Sequence, residues 1–301
     1  MNLKEPTTLK IRLHQVGLSR NIKPTKVMLT GDWHISPIIS DTQFGFLADA
    51  ISQIHPDVIV MQGDIVDSPT ELSRETSLKK LLREMKLCSK AAPTFLVLGS
   101  HDFITPTKKR EIMKEFAIPR WKILCKKCGV KLLLDEWAEL PNIRIFGSFQ
   151  DEKCSTYTNK SGELIHKDRP SEFEKYIEKM DFSAATPDKI NWLAAHAPLI
   201  TPKVIEACKK FDVLSFGHTH GGIVPRGMDE IFEKFGIHSG IISANKTLFP
   251  RKVRGAWEED GETMIVINAG MTGAQFCAPE IFQKLNRIKA AEVSLVEIDS
   301  K

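Results

Sequence analysis

Five short segments of this chain contain the side chains that could do chemistry, because each carries aspartate or histidine residues. The segments are Asp32–His34, Gly63–Asp67, Gly99–Asp102, His196 and Gly217–His220. They hold five of the chain's nine histidines, together with two or three carboxylates that could act beside them. Imidazoles and carboxylates in these numbers form a ligand set for two adjacent divalent metals, and such a pair typically hydrolyses phosphate esters.

The spacing of the acidic ligands indicates how two metals could share them. Asp32 and His34 lie two residues apart, so their side chains share one face if the backbone there is extended. One carboxylate and one imidazole can then hold a single metal ion. Asp64 follows a different apolar run, and an aspartate placed between two metals can bridge them with one oxygen to each.

Three further histidines complete the two coordination spheres. His218 and His220 are again two residues apart, so one metal could take His220 and the other His218, with His196 as an additional ligand. Two metals about 3.5–4 Å apart would polarise the phosphoryl oxygens and lower the pKa of a shared water. The resulting metal-bridging hydroxide would attack phosphorus in line with the leaving oxygen. Asp67 and Asp102 are expected to hydrogen-bond neighbouring loops or histidines.

Each segment follows a short, continuous apolar run that is typical of a strand covered on both faces. The runs are Lys26–Thr30, Asp57–Gln62, Pro93–Leu98, Asn191–Ala195 and Phe211–Phe216. Apolar residues at helical spacing predict helices over Gln43–His55 and Ser73–Ser89, and the alternating Lys10–Val16 predicts an edge strand. The alternation of strands and helices predicts an α/β fold, in which ligands bind at the carboxyl ends of the strands.

Taken singly, each of these motifs also has an ordinary structural explanation, such as a turn or a helix cap. The order, the spacing and the strand-end placement of all five together favour a joint metal site. The remaining histidines are interpreted as structural or surface residues; they are His14, His55, His166 and His238. Cys125 and Cys128 form one C-x-x-C pair, and because a structural zinc site needs four ligands, no metal or redox role is assigned to them.

The composition is that of one globular domain spanning residues 1–301. Apolar residues make up 42% of the chain, which contains no low-complexity tract, internal repeat or Gly/Ser-rich linker. The polar stretch 147–188 is interpreted as a cap or surface excursion near the site. A net charge of +4 is too mild to demand a nucleic-acid partner. The basic cluster Arg251–Arg254 lies close after the last site histidines and could face an anionic substrate.

Several features that the sequence lacks predict a cytoplasmic protein. No apolar stretch approaches the ~18 residues of a membrane span, so no transmembrane segment is expected. The N-terminal stretch 1–24 has neither the apolar core nor the cleavage-site pattern of a secretory signal. Six cysteines without an export signal indicate a reducing compartment. The sequence makes no prediction about the oligomeric state.

The five segments resemble the motifs of the calcineurin-like metallophosphoesterases, which read D-x-H, G-D-x-x-D, G-N-H-[DE], H and G-H-x-H. The resemblance implies an α/β fold of one domain, in which a two-sheet sandwich of mixed strands is flanked by helices. Further motifs are similar to a bacterial branch that includes membrane-associated phosphodiesterases and a type of UDP-2,3-diacylglucosamine hydrolase. These motifs are Gly217–Gly222, Leu248–Gly255, Ile267–Gly273 and Ala278–Ile281.

The resemblance also assigns ligands to the two metals. The first metal would be held by Asp32, His34, Asp64 and His220. The second metal would be held by Asp64, His196, His218 and, if it reaches, Ser100. His101 would lie beside the scissile phosphate, where it can protonate the leaving oxygen or stabilise charge, and Asp102 could orient it.

The chain departs from the pattern of the family and its branch at two points. The metal-binding asparagine is Ser100 here, and a serine hydroxyl is a shorter and poorer neutral ligand than an amide oxygen. Ser100 could reach the second metal through a water, or that metal could be held more weakly. Many members of the bacterial branch carry an N-terminal membrane anchor or export signal, and neither is expected in this chain.

The resemblance implies a metal-dependent phosphoesterase that acts on phosphodiester or pyrophosphate-type bonds. Manganese, zinc and iron all suit mixed imidazole and carboxylate ligands. A nuclease of the same superfamily is an alternative, although the chain has no strong basic patch and no appended DNA-binding segment. A second alternative is a metal-binding scaffold that docks a partner, although such scaffolds tend to lose site histidines that this chain keeps. Substrate choice is expected to depend on 147–188 and 222–250.

Overall fold

The computed structural model describes residues 9–37, 39, 41–106, 110–221, 255–259, 263–271 and 291–301. Three subjects of the sequence predictions lie outside these residues: the basic cluster Arg251–Arg254, the stretch 222–250 expected to influence substrate choice, and His238. Most of the branch motifs that follow Gly221 lie outside them as well.

One mixed sheet of six described strands positions the first three ligand segments. Its strands, in spatial order, are β1 (Leu9–Leu18), β14 (Ala291–Ser300), β2 (Thr25–Thr30), β3 (Val58–Met61), β4 (Thr94–Leu96) and β5 (Val130–Leu132). Strands β2 to β5 run parallel, whereas β14 is antiparallel to β2 and parallel to β1. The alternating segment near the N-terminus is therefore an edge strand of the described sheet, as predicted.

A second mixed sheet of six described strands positions the remaining histidine segments. Its strands, in spatial order, are β12 (Gly255–Glu259), β13 (Thr263–Ile267), β11 (Val213–Phe216), β10 (Ile190–Ala194), β7 (Ile143–Gly147) and β6 (Glu136–Glu139). The four central strands run parallel, and the outer strands β12 and β6 are antiparallel to their neighbours. All five apolar runs of the sequence thus overlap a strand of one of the two sheets.

Helices cover the outer faces of both sheets. The described α-helices are α1 (Asp41–Ile54), α2 (Glu75–Ala91), α3 (Lys114–Cys128), α4 (Glu152–Ser155), α5 (Pro170–Ile177) and α6 (Pro202–Ala207). Two short 3-10 helices span Pro69–Ser73 and Ser100–Asp102, and β8 (Thr156–Thr158) pairs with β9 (Leu164–His166) in a small hairpin. Among the described residues, no helix is both long enough and apolar enough to span a membrane.

Alternate side chains of the central strands point into different apolar layers, as the strand period of two requires. In β2, Met28 lies in the layer formed with α1 to α3, whereas Val27 and Leu29 lie in the layer between the two sheets. In β10, Trp192 fills the same inter-sheet layer, and Leu193 lies in a third layer with α5 and α6. Two mixed sheets therefore stack face to face between two layers of helices, which confirms the predicted fold class.

The last described strand completes the first sheet from within, between β1 and β2. Arg12 on β1 forms a bidentate ion pair with Glu292 on β14, and both N–O distances are 2.8 Å. The amide of Glu292 donates to the carbonyl of Gly270, and the amide of Met271 donates to the carbonyl of Gly31, at the start of the first ligand segment. Late parts of the chain thereby support the backbone that carries the first ligands.

The C-x-x-C pair belongs to the apolar core. Cys125 and Cys128 lie on α3 among the side chains that pack against the first sheet, and both are free thiols. Burial raises the pKa of the Cys125 thiol, so this group stays protonated and unreactive at neutral pH. The surroundings of the pair agree with the structural interpretation of its sequence.

Candidate metal centre

The carboxyl ends of the parallel strands in both sheets meet at one edge of the sandwich, and the ligand segments emerge there. In the first sheet, Asp32 follows β2, Asp64 follows β3 and Ser100 follows β4. In the second sheet, His196 follows β10 and His218 follows β11. Side chains from two different sheets thus come together at the edge predicted from the sequence. They form two groups that share no residue, Asp32 with His34 and His220 and Asp64 with His196 and His218, and a third group of His34, Asp64 and His101 overlaps both.

The first ligand group consists of Asp32, His34 and His220. Each residue offers one ligand atom, and these atoms all lie within 4.8 Å of one another. Nε2 of His220 is 3.7 Å from Oδ1 of Asp32, and the backbone amide of His218 donates to both oxygens of that carboxylate. All three side chains are buried, and one carboxylate with two imidazoles can hold a divalent transition metal.

The second ligand group consists of Asp64, His196 and His218, whose ligand atoms also lie within 4.8 Å of one another. Nε2 of His196 is 3.1 Å from Oδ2 of Asp64 and 3.1 Å from Nδ1 of His218. Two nitrogen ligands of a tetrahedral zinc ion are separated by about 3.3 Å, because each lies about 2.0–2.1 Å from the metal. The observed spacing therefore fits two ligands of one metal.

Asp64 lies between the two groups. Its Oδ2 atom is 3.1 Å from Nε2 of His196 and 3.8 Å from Nε2 of His34, so it faces a histidine of each group. Its Oδ1 atom accepts the backbone N–H of His101 at 2.9 Å, which fixes the orientation of the carboxylate. This placement suits an aspartate that bridges two metals.

The hydrogen bonds around the second group show that its donor atoms fit a cation. Nδ1 of His196 is 2.7 Å from the carbonyl oxygen of Gln62, which can only accept, so Nε2 of the neutral ring carries the lone pair. That lone pair faces the Asp64 carboxylate, and two acceptors this close repel each other unless a cation lies between them. Neither ring nitrogen of His34 makes a hydrogen bond to a described residue, although Oδ1 of Asp67 lies 3.3 Å from its Nδ1.

The pKa values of His196 and Asp64 also show that the site favours positive charge. Burial by itself lowers the pKa of the His196 imidazole, but Asp64, Asp32 and the Gln62 carbonyl raise it to about 9. Burial also acts to raise the pKa of Asp64, yet the neighbouring His196 and His101 hold that pKa well below its usual range. The site therefore attracts cations, either as protons on its imidazoles or as metal ions.

Five of the predicted ligands adopt left-handed backbone conformations. The φ angles are 47° at Asp32, 43° at His34, 49° at Asp64, 69° at His218 and 47° at His220. Such angles cost on the order of 1–3 kcal/mol each outside glycine, so the surrounding structure must hold them in place. The extended backbone assumed for Asp32 and His34 is therefore wrong, and a left-handed turn brings their side chains to one site instead.

The segment after β4 places His101 at the site, and Asp102 binds the neighbouring loops, which is one of its two predicted roles, rather than the ring of His101. Nδ1 of His101 donates to the backbone carbonyl of Asp67 at 2.9 Å, so this carbonyl orients the ring. The two carboxylate oxygens of Asp102 accept backbone amides instead, from Ile65 at 2.9 Å and from Gly99 at 2.8 Å. Asp102 thereby clamps the loops that follow β3 and β4 to each other.

The carboxylate of Asp67 lies behind the first ligand group. Its Oδ1 atom is 3.3 Å from Nδ1 of His34 and 3.9 Å from Nδ1 of His101. A carboxylate on the outer nitrogen of a metal-binding histidine fixes the tautomer of the ring and raises its basicity. The position of Asp67 therefore agrees with the supporting role expected for it.

A cleft opens beside the two ligand groups. Its lining includes Ser100, His101, Arg110 and His166 as well as several of the candidate ligands. Burial lowers the pKa of His166 to about 4, so its imidazole is neutral at neutral pH. The Ser100 hydroxyl is buried and has no hydrogen-bond partner among the described residues. The cleft thus combines a guanidinium, a neutral imidazole and a hydroxyl, which can bind the oxygens of an anionic ester.

Two residues of the site, His166 and Asp168, are not predicted by the sequence analysis. His166, interpreted above as structural or surface, lines the cleft, and Oδ2 of Asp168 lies 3.3 Å from Nε2 of His218. Both residues belong to the stretch 147–188, which therefore borders the site. No buried apolar run precedes them, so the strand-end signal that reveals the other ligands is missing. Their two-residue spacing, which matches that of the first ligand segment, is the one sequence signal that could have pointed to them.

The chain is similar to known proteins over much of its length. A family model described as calcineurin-like phosphoesterase matches residues 25–222, a range that contains every candidate ligand named above. The transmembrane protein with metallophosphoesterase domain of Bos taurus is 23% identical over 232 residues, which are 74% of this chain and 46% of that protein. An uncharacterized metallophosphoesterase of Aquifex aeolicus (strain VF5) is 23% identical over 201 residues, which are 66% of this chain and 64% of that protein.

The chain spans less than two thirds of the length of either of these relatives. Among solved structures, a dimetal phosphatase from Danio rerio aligns with a TM-score of 0.46 at 11% sequence identity. The alignment covers 85% of this chain and 90% of that one.

Gly63→Ala should disrupt the ligand loops. Gly63 has a φ of 81°, and a Cβ there would lie 2.8 Å from Cα of Gly99 and 2.9 Å from Nδ1 of His196. We expect a loss of about 2–5 kcal/mol in the free energy of unfolding, from backbone strain and overpacking together. Gly45→Ala is the matched control, because an added Cβ on α1 meets nothing within 4 Å and should stabilise the helix by about 0.5–1 kcal/mol. Urea unfolding measures both; a Gly63→Ala variant as stable as the wild type would contradict the close packing of these loops.

The metal affinity of the metal-free protein should rise with pH and level off above about pH 9. Because the pKa of His196 is raised to about 9, its imidazole is protonated at neutral pH, and a metal must displace that proton. One displaced proton lowers the apparent affinity by up to about tenfold for each pH unit below that pKa. Calorimetric titrations in buffers of different ionisation enthalpy measure the proton release. An affinity that stays constant between neutral pH and pH 9 would show that no such proton is displaced.

Proposed function

Because this chain belongs to the calcineurin-like phosphoesterase family, we propose that it hydrolyses phosphodiester or pyrophosphate-type bonds with two divalent metal ions. The observation that carries the proposal is the pair of buried ligand groups, each with one carboxylate and two imidazoles. Asp64 faces a histidine of each group, which is the arrangement that two metals sharing a carboxylate require.

The proposed metal ligands follow from the two groups. The first metal would be held by Asp32, His34, Asp64 and His220. The second metal would be held by Asp64, His196, His218 and Ser100. Manganese, zinc and iron suit this mixture of imidazoles and carboxylates. When bound, the metals would polarise the phosphoryl oxygens and activate the attacking water.

His101 is placed to act on the leaving group. Its Nδ1 atom donates to the Asp67 carbonyl, so Nε2 is the nitrogen that can exchange a proton with the substrate. The backbone amide of the same residue donates to Asp64, which ties the ring to the shared carboxylate. We assign the doubly protonated form of His101 as the general acid: Nδ1–H would stay on the Asp67 carbonyl while the Nε2 proton passes to the leaving oxygen as its bond to phosphorus breaks, which leaves a neutral imidazole.

The lining of the cleft supports a diester rather than a monoester as the substrate. Besides the two proposed metals, Arg110 carries the one permanent positive charge among the described lining residues, and burial keeps His166 neutral. A phosphodiester carries one negative charge near neutral pH, whereas a monoester carries about 1.5 to 2. A single guanidinium can bind the diester through two parallel hydrogen bonds.

We also propose that residues 1–301 act as one cytoplasmic domain with 147–188 as a cap. Pairing of β1 with β14, from opposite ends of the chain, supports one domain. The contribution of His166 to the cleft supports a cap. The described cysteines are buried free thiols, the form that a reducing compartment maintains, and this supports the location.

An activity panel with defined metals tests the proposed function. The full chain is stripped of metal by a chelator and reloaded with Mn²⁺, Zn²⁺ or Fe²⁺. It should then cleave an aryl phosphodiester faster than the matching monoester, and renewed chelation should abolish the activity. Elemental analysis should find close to two metal ions per chain, because two ligand groups are present.

Two aspartate variants, the monoester and a single-stranded DNA substrate decide between this function and its alternatives. Asp64→Ala removes the shared carboxylate and should lower the rate by at least about 100-fold, whereas Asp49→Ala removes an exposed carboxylate from α1 and should leave it unchanged. Strong preference for the monoester would contradict the diester assignment. Faster cleavage of single-stranded DNA would favour a nuclease, and two bound metals without any hydrolysis would favour a scaffold.

Ser100→Asn should tighten the weaker of the two metal sites. The variant restores an amide oxygen at a position that borders both the cleft and a small cavity next to the second ligand group. We expect the weaker affinity to increase by about 10–100-fold and the stronger one to stay the same. Manganese titration of the metal-free protein measures both, with Ser100→Ala as the control that gains no ligand. Unchanged affinities in Ser100→Asn would show that position 100 does not serve the second metal.

A further inference from the structure

We infer that Asp168 is a positioning residue of the second metal site, where its carboxylate holds the outer nitrogen of His218 so that the inner nitrogen faces the metal. The inference rests on the proposed function, because it takes His218 to be a metal ligand. Asp168 lies in the stretch 147–188, outside all five segments that first indicated a metal site. Its contribution would offset the weak ligand at Ser100.

The two ring nitrogens of His218 face different partners. Nε2 lies 3.3 Å from Oδ2 of Asp168, and Nδ1 lies 3.1 Å from Nε2 of His196. Because an ionised carboxylate can only accept a hydrogen bond, Nε2 of His218 carries the ring proton. Nδ1 is then left with its lone pair, which points toward the ligand atoms of Asp64 and His196. Asp168 therefore acts through the histidine rather than as a ligand itself.

Both histidines of the second group are held in this way, but by acceptors of different charge. The outer nitrogen of His196 donates to the neutral carbonyl of Gln62 at 2.7 Å. The outer nitrogen of His218 faces a carboxylate, and such a partner makes the imidazole a more basic metal ligand. The extra negative charge matters most at this site, because the proposed first metal has both Asp32 and Asp64, whereas Asp64 is the one carboxylate of the proposed second metal.

Asp168 and Ser100 line the same small cavity next to the second ligand group. His196 and His218 line it as well, and so does Ser155. Three oxygens at this cavity are buried without a hydrogen-bond partner among the described residues: Oδ1 of Asp168 and the two serine hydroxyls. The space left by a short side chain at position 100 is thus bordered by oxygens from the stretch 147–188, which can orient a ligand of the second metal.

The backbone around Asp168 is anchored on both sides, so its carboxylate can serve as a fixed acceptor. The amide of Lys167 donates to the carbonyl of Ser155, and the amide of Arg169 donates to the carbonyl of Cys154, both at 2.8 Å. Helix α5 begins directly afterwards and packs into the apolar layer on the outer face of the second sheet. The side chain of Asp168 is only 10% exposed as a result.

Titration of the metal-free full chain with Co²⁺, followed by absorbance and calorimetry, tests the inference. Asp168→Ala should lower the weaker metal affinity by about 10–100-fold and leave the stronger one unchanged. Asp168→Asn should lose less, because its amide oxygen can still accept from Nε2–H but carries no charge. Glu163→Gln is the matched control: it removes an exposed carboxylate from the same stretch and should change neither affinity.

The double variant Asp168→Ala/Ser100→Asn separates a role at the second metal from a general loosening of the fold. If both positions serve that metal, the gain from the asparagine should offset most of the affinity lost with Asp168, whereas a general loosening of the fold would leave the loss in place. Thermal unfolding of each metal-free variant near the wild-type midpoint shows that the chain is folded. If Asp168→Ala does not fold, Asp168→Asn carries the test by the same two affinities.

Two outcomes would overturn the inference. One is that the weaker of the two Co²⁺ sites has the same affinity in the wild type and in the Asp168 variants. The other is a lowered kcat/KM with unchanged metal binding, which would place Asp168 in contact with the substrate. Failure of the proposed function looks different, because the wild type itself would then bind no metal or hydrolyse no phosphate ester.

Discussion

The buried negative charge of Asp64 is the constraint on which the rest of the site depends. The side chain of Asp64 is only 2% exposed, and an ion buried in a protein costs several kcal/mol unless it is paired. Compensation comes from both sheets: from His34 and the amide of His101 in the first, and from His196 in the second. The two sheets must therefore stack with their strand ends aligned. The apolar layer between the sheets fixes that alignment and so holds Asp64 close to its partners.

To compensate this charge, the backbones of the loops after β3 and β4 must approach each other more closely than residues with a Cβ atom allow. The loops after β3 and β4 meet at Gly63 and Gly99, where no Cβ fits between them. Asp102 accepts amides from both loops and holds them together. The left-handed angles at the ligands show that this arrangement is maintained against local preference. Asp102, which the sequence analysis placed beside His101, thus holds the two ligand loops in position.

Local patterns in the sequence predict those parts of the structure that leave a periodic trace. Strands β2, β3, β4, β10 and β11 are predictable, with the ligands that follow them, because a buried parallel strand is continuously apolar. The insertion of β14 between β1 and β2 is not predictable, because pairing between segments so distant in the chain leaves no periodic pattern in the sequence. His166 is the last residue of a half-exposed hairpin strand that lacks this signal, and Asp168 follows that strand. The turn at Asp32 is missed because a spacing of two suits both extended and left-handed backbone.

The insertion of β14 also affects how the chain folds as it is synthesised. β1 and β2 leave the ribosome early, but each pairs with β14 rather than with the other. Until β14 emerges, one edge of β2 stays open, and an open strand edge can associate with other chains. Pairing between such distant segments is also intrinsically slow. In a nascent chain the first sheet therefore stays incomplete until β14 has been made, and the bonds that link Glu292 through Gly270 and Met271 to Gly31, next to Asp32, form only then.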